Sequence, residues 1–236
     1  MRKLICVSLF VLAACGAPPA DAPSTSQPQG QQATRALTPT SAEMNRFRTV
    51  VSRVEPVAER ICRAQSQGIN CDFKVVIDDR PQKSPNAFQT VDKSGRPILA
   101  FNLPIIASVR NGDELAFVMG HEAAHHIEKH LAQQRNNAIA GAIILGGLAA
   151  LTGASSSGVD AAADLGANVG ARSYSKDHEL EADALGTVIT RRAGYNPVKG
   201  AEFFTQIADP GDRFLGTHPR NKDRIDTVRR VDASLQ

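Results

Sequence analysis

Between Phe117 and Gln134 the chain reads FVMGHEAAHHIEKHLAQQ, a stretch with helical patterning that holds four histidines and two glutamates. His121 and His125 stand four residues apart, so on a helix their imidazoles project from one face, one turn from each other. With Glu122 between them they form HExxH, in which two neutral imidazoles bind Zn²⁺ and the glutamate takes a proton from water. His126 is turned about 100° from His125, and His130 is out of register with the pair on a continuous helix. Both are expected to pack or hydrogen-bond rather than hold metal.

A catalytic zinc site takes three protein ligands and keeps one position open. One class of HExxH protein draws the third ligand from HExxHxxGxxH, but Glu128 and Leu131 stand where that pattern needs Gly and His. The other class uses a glutamate on a later helix. After Glu128 the next glutamate is Glu179, in SKDHELEADALG, with Asp183 four residues later on the same helical face. Glu179 is the expected third ligand, and Asp183 the carboxylate that orients a ligating imidazole through its second nitrogen. Taken alone, both would read as a solvated acidic face. Glu181 is expected to be exposed, and His178 to lie round the helix from the site.

The elements that must carry these residues begin near Ala42, where Met44, Phe47, Val50, Val54 and Val57 recur at helical spacing. FKVVIDD (Phe73 to Asp79) reads as a strand, and a loop with Pro81, Pro85 and Gly95 follows. PILAFNL (Pro97 to Leu103) reads as a second strand. Gly112 and Asp113 make a turn and a candidate N-cap before the HExxH helix. Ala138 to Ala154 is the most apolar run after the N-terminus; it is short for a membrane span and broken by Gly141, Gly146, Gly147 and Gly153. Packing in the core, or a flap beside the site, is the expectation there, with TGASSSG as a turn after it. Helix returns from about Ser173 to Ala193 and again from about Asn221.

Before these elements lie two segments of another kind. Arg2 and Lys3 precede an apolar run from Leu4 to Ala14, as in a secretory signal. Leu12-Ala13-Ala14-Cys15 resembles a bacterial lipobox, which makes residues 1–14 a signal and Cys15 the lipidated first residue of the mature chain. The alternative is ordinary signal cleavage nearby, leaving a soluble periplasmic protein. Gly16 after the cysteine favours the outer membrane by resemblance to enteric lipoproteins. Residues 15–41 are rich in Pro, Ala, Ser and Gln and read as a disordered tether with a reach of about 28 Å, leaving 42–236 as the folded domain.

The full chain of 236 residues has 27 basic and 24 acidic side chains, a net charge of +3 that falls to +1 when Arg2 and Lys3 leave with the signal. Nothing in that balance suggests a nucleic-acid surface. Cys62 and Cys71 remain as an even pair in an oxidising compartment and are expected to form a disulfide. Zinc ligation by them is disfavoured, because their spacing is wide and no histidine is near.

Four segments together resemble the zinc metallopeptidases of peptidase family M48, related to CAAX prenyl proteases and HtpX. Asn86 to Phe88 resembles the segment before the family's substrate-binding edge strand, DELAFVMGHEAAHH its catalytic helix, ELEAD its ExxAD ligand motif and THPRNKDR its HPxxxxR element. Length and lipobox point to the periplasmic BepA-like and LoiP-like branch. The resemblance implies an α+β fold, a mainly helical gluzincin domain with a small sheet. It assigns one zinc per chain to His121, His125 and Glu179, and the general base to Glu122. It also implicates His218, as a regulatory ligand covering the metal or as an aid to the oxyanion, and Arg224 as an electrostatic or structural partner.

The implied activity is a zinc endopeptidase acting on unfolded or misassembled envelope proteins, with an extended substrate paired to the PILAFNL strand. A chaperone-like binding module whose metal site is closed by His218 is the rival.

Overall fold

The computed structural model describes residues 38–82, 84–172, 175–209 and 219–236. The signal, Cys15 and nearly all of the expected tether lie outside them.

Helix α1 (Ser41–Gln65) starts at a capping box: the Thr40 hydroxyl accepts from the Glu43 amide at 3.3 Å, and the Glu43 carboxylate accepts from the Thr40 amide at 2.8 Å. Its Phe47, Val50, Val54, Val57 and Ile61 form one buried stripe, as the spacing in the sequence requires. A disulfide between Cys62 and Cys71 ties its last turn to the segment entering the sheet.

That sheet has three strands, β1 (Lys74–Asp78), β2 (Ala87–Val91) and β3 (Pro97–Asn102), in the order β1-β3-β2. β1 runs parallel to β3 with Lys74 opposite Ile98, and β2 runs antiparallel to it with Ala87 opposite Phe101. The central strand is therefore β3, whose Leu99, Ala100 and Phe101 are buried. This corrects two expectations. A strand occupies part of the supposed loop between Pro81 and Gly95, and PILAFNL has both backbone edges already paired, so it cannot accept a substrate strand. β3 also ends one residue early. Pro104 sits in the first turn of α2 (Leu103–Ser108), and the Asn102 side chain accepts from the Ile105 amide at 2.9 Å, which caps a helix and stops the strand.

Helix α3 (Gly112–Ile127) is the centre of the fold, with both its faces buried for most of its length. Its N-cap is Asn111, not Gly112 or Asp113: the Asn111 side chain accepts from the Glu114 amide at 3.0 Å. The helix does not run on to Gln134. It stops at Ile127, and Lys129 takes a left-handed conformation (φ 61°) before α4 (His130–Leu151) starts in a new direction.

The apolar run after that break is not core: of α4 only His130 and Gly146 are buried. It forms α4, which turns at Gly153 (φ 82°) into α5 (Ser156–Arg172) and packs along it as a hairpin. Glycines set the contact: a Cβ on Gly141 would fall 2.0 Å from the Gly166 carbonyl oxygen, and one on Gly170 would fall 2.0 Å from that of Asn137. Ile139, Ile143, Ile144, Leu148 and Leu151 stay exposed on the outer face of α4. No described helix is long and apolar enough to cross a membrane.

Helix α6 (Ser175–Arg192) lies against α3, followed by the short α7 (Pro197–Gly200), a 3₁₀ turn (Ala201–Gln206) and α8 (Asn221–Ser234). The whole is α+β and mainly helical, with one small mixed sheet.

Closing a loop across nine residues of sequence separation should contribute about 2 to 3 kcal/mol of stability. The double variant Cys62→Ala/Cys71→Ala is expected to lose about that amount in equilibrium urea unfolding. Equal stability in the variant would show that the core packing of Ile61 and Phe73 holds the two segments together without the bridge.

Candidate functional site

His121 and His125 lie on the last turns of α3, and Glu179 and Asp183 on the first turns of α6. What brings these helices together is the absence of two side chains. A Cβ on Gly186 would stand 2.9 Å from the His121 amide nitrogen and 3.0 Å from its Cα, and one on Gly120 would stand 2.9 Å from the Gly186 carbonyl oxygen. The backbones touch there, and Glu179, Asp183 and Gly186 share one face of α6 by their spacing.

At this contact the Nε2 atoms of His121 and His125 are 3.0 Å apart. The Glu179 carboxylate reaches both, at 3.6 Å from His121 Nε2 and 3.3 Å from His125 Nε2. Each imidazole is held from behind through Nδ1: His121 by Asp183 Oδ1 at 2.9 Å, His125 by His130 Nδ1 at 2.9 Å. Asp183 is fully buried and is gripped in turn by Arg224 of α8, Nε to Oδ2 and Nη2 to Oδ1, both at 2.7 Å. Arg224 lies 4.0 Å from the Phe204 ring centroid and 3.3 Å from Glu179. Burial alone would raise the pKa of Asp183, but its bonds to Arg224 and His121 override this and lower it. Burial likewise disfavours the His125 cation, and the carboxylates of Glu179 and Glu122 reverse the balance and raise its pKa.

This donor set suits a divalent cation. With Nδ1–H of His121 given to the Asp183 carboxylate, its Nε2 is left unprotonated and an acceptor, with Arg224 Nη2 3.4 Å away. His125 Nε2 and the Glu179 oxygens are acceptors too, and the ligand atoms of the three residues all lie within 4.8 Å of one another. Three largely buried acceptors turned towards one point want a positive charge between them. His121, His125 and Glu179 can hold it with nitrogen and oxygen donors and three ligands, the set that zinc takes in catalytic sites.

The trio sits in a cleft of about 470 Å³ that Glu122 also lines. One wall is the strand entry from Pro85 to Gln89, another is apolar, with Ile105, Phe117, Phe203 and Phe204, and the base of α4 closes a third side. The structure thus brings together His121, Glu122, His125, Glu179, Asp183 and Arg224. His218 lies outside the described residues.

Two further histidines, neither of them a ligand in the sequence pattern, stand in the same cluster. His130 is buried, its pKa held down at about 4 mainly by burial, and its Nε2 lies 3.0 Å from Glu181 of α6. His178 lines the cleft and stacks on His130 with ring centroids 4.3 Å apart. His130 hydrogen-bonds, as its position in the sequence leads one to expect, but its partner is His125 itself: the break at Glu128 and Lys129 resets the helical register, and no Gly or Pro announces it. His126, by contrast, packs on Phe73 and bonds the Asn70 carbonyl at 2.7 Å.

Residues 45–232 match the model of Peptidase family M48. The chain belongs to that family. Among the relatives of this M48 chain, the putative beta-barrel assembly-enhancing protease of Vibrio cholerae is 32% identical over 141 residues, which is 54% of this chain and 29% of that protein. The beta-barrel assembly-enhancing protease of Escherichia coli K12 is 30% identical over 50% of this chain and 27% of its own length. The mitochondrial metalloendopeptidase OMA1 of Saccharomyces cerevisiae is 30% identical over 176 residues, 68% of this chain and 47% of that one. The alignments thus span less than half the length of each of these relatives.

Two variants test this geometry. Gly186→Ala inserts a methyl group where His121 already lies, so it should destabilise the M48 fold by about 1 to 3 kcal/mol and weaken zinc binding, as read by urea unfolding and by competition with a chromophoric chelator. A variant matching wild type in both would mean that the helices separate without moving the site. Asp183→Asn should weaken zinc binding about 10- to 100-fold, because the amide no longer fixes and polarises His121; unchanged affinity would leave Asp183 only as the counter-ion of Arg224.

Proposed function

We propose that this chain is a zinc metalloendopeptidase that cuts unfolded or misassembled proteins of a bacterial envelope, held at a membrane by lipid on Cys15. One observation carries the enzymatic part: the ligand atoms of His121, His125 and Glu179 converge in a cleft that Glu122 lines and that a sheet edge borders.

Zinc held by those three residues would supply a Lewis acid for the peptide carbonyl and make water acidic enough to lose a proton near neutral pH. Glu122 is the general base, taking that proton as water attacks the carbonyl carbon and delivering it to the amide nitrogen as the C–N bond breaks. Asp183 fixes the tautomer of His121, and Arg224 keeps Asp183 ionised and aligned. For His218 both proposed roles stand, as a cover over the metal or as a donor to the oxyanion.

Substrate is held by β2. Among the described residues this strand pairs only with β3, and its start lines the cleft, so an extended peptide can add to its outer edge through backbone hydrogen bonds. Such binding ignores most side chains. The apolar wall of Ile105, Phe117, Phe203 and Phe204 then favours large apolar residues, which folded proteins bury and unfolded ones expose. Three features support an envelope location: the Cys62–Cys71 disulfide, the Leu4–Ala14 run ending at Cys15, and bacterial relatives named for enhancing β-barrel assembly.

Glu122→Gln keeps the shape of the side chain and loses the base. It is expected to bind zinc as wild type does and to cut an unfolded protein such as reduced casein about 10²- to 10⁴-fold more slowly. Cleavage at the wild-type rate by zinc-loaded Glu122→Gln would rule out the mechanism.

A further inference from the structure

The two imidazoles of the site are backed by different groups. Behind His121 is Asp183, a carboxylate with no exposed surface, gripped by Arg224. Behind His125 is another imidazole, His130, in contact with a carboxylate at the surface: Nδ1 to Nδ1 at 2.9 Å, then His130 Nε2 to Glu181 Oε2 at 3.0 Å. The direction of these bonds follows from their last member. A carboxylate only accepts, so His130 Nε2 carries the proton and donates to Glu181. The other nitrogen of the neutral ring is then an acceptor, and the only hydrogen it can take from His125 is that on Nδ1. His125 is left with a bare Nε2 pointing at His121 and Glu179.

We infer that His130 and Glu181 form a two-residue relay that fixes the tautomer and orientation of His125, and so are positioning residues for the metal. The inference rests on the metal site proposed above.

The surrounding structure is built around this relay. The left-handed turn at Lys129 brings the first residue of α4 back beneath the last turn of α3, which a continuous helix could not do. His178 stacks on His130 with the rings 10° from parallel, and Gln133 Oε1 accepts from His178 Nε2 at 3.0 Å, so the ring of His130 is held over one face. Glu181 is 59% exposed, whereas Asp183 is wholly buried. One ligand of the pair is thus anchored in the core and the other is anchored through a chain that ends in solvent.

The test compares two substitutions at one position. His130→Leu keeps bulk beneath His178 but offers no acceptor. His130→Gln restores both bonds in principle, its carbonyl accepting from His125 and its amide donating to Glu181. Zinc alone is titrated into each purified full-length protein against a chromophoric chelator, and the tautomer of His125 is read in the metal-free proteins at pH 8 by ¹H–¹⁵N correlation of the imidazole nitrogens. Wild type should show His125 protonated on Nδ1. His130→Leu should lose that preference and bind zinc about 10- to 100-fold more weakly, and His130→Gln should recover most of both.

An Nε2-protonated His125 in wild type overturns the relay, whether or not zinc binds. So does wild-type zinc affinity in His130→Leu, or a His130→Gln protein as impaired as His130→Leu, which would reduce His130 to packing. If wild type shows the Nδ1 tautomer but takes up no zinc, the relay stands and the metal reading fails, so the two are separable.

Discussion

The candidate site depends on how closely α6 approaches α3. Where Gly186 meets Gly120 and His121 there is no room for a methyl group on either helix, and the contact lies one turn from Asp183 and two from Glu179. Glycine inside a helix costs about 1 kcal/mol relative to alanine, so two of them facing each other need a compensating gain. The gain is the register itself: with the backbones touching, a carboxylate from α6 meets each of two consecutive needs of α3, one oxygen donor beside the imidazoles and one behind them. Arg224, arriving from α8, then crosses from Asp183 to Glu179 and makes the third helix part of the same arrangement.

The charges close in a way that neutral packing would not. Glu122, Glu179 and Asp183 bring three carboxylates to one end of α3, and Arg224 is the guanidinium set among them. A divalent cation at the imidazoles would balance the remainder. Burial raises the electrostatic stakes of each group: it pushes the pKa of Asp183 up, and the direct bonds from Arg224 and His121 outweigh it and bring the pKa down.

The sequence makes the candidate ligands legible because their geometry is local. Four residues of spacing within one helix put His121 beside His125, and four within another put Glu179 beside Asp183, whatever the rest of the chain does. It is less informative where a long-range partner decides. AFQTV has no alternation to mark it as a strand: every residue of β2 is half-buried, and only Ala87, Phe88 and Gln89 of it line the cleft. Nothing in PILAFNL says that it will be central. The apolar run from Ala138 to Ala154 reads as core by composition, and only its pairing with α5 shows that its outer isoleucines face outwards. That His130 bonds His125 is hidden for a subtler reason, a helix break at a lysine, which pattern rules assign to Gly or Pro.

The α4–α5 hairpin bears on how the two ligand helices find each other. His121 and Asp183 are 62 residues apart in sequence, which would ordinarily make their pairing a distant contact with a matching entropic cost of loop closure. Yet the hairpin folds on itself, and Asn137 at one end lies against Gly170 at the other. With Asn137 held against Gly170, only about a dozen residues of the chain between α3 and α6 lie outside that contact, and the logarithmic dependence on loop length lowers the cost by about 1 kcal/mol. A pairing that is remote along the chain thus becomes nearly local in the order of assembly, so lengthening or trimming the hairpin in register would leave the distance between its ends, and the closure of the site, almost unchanged.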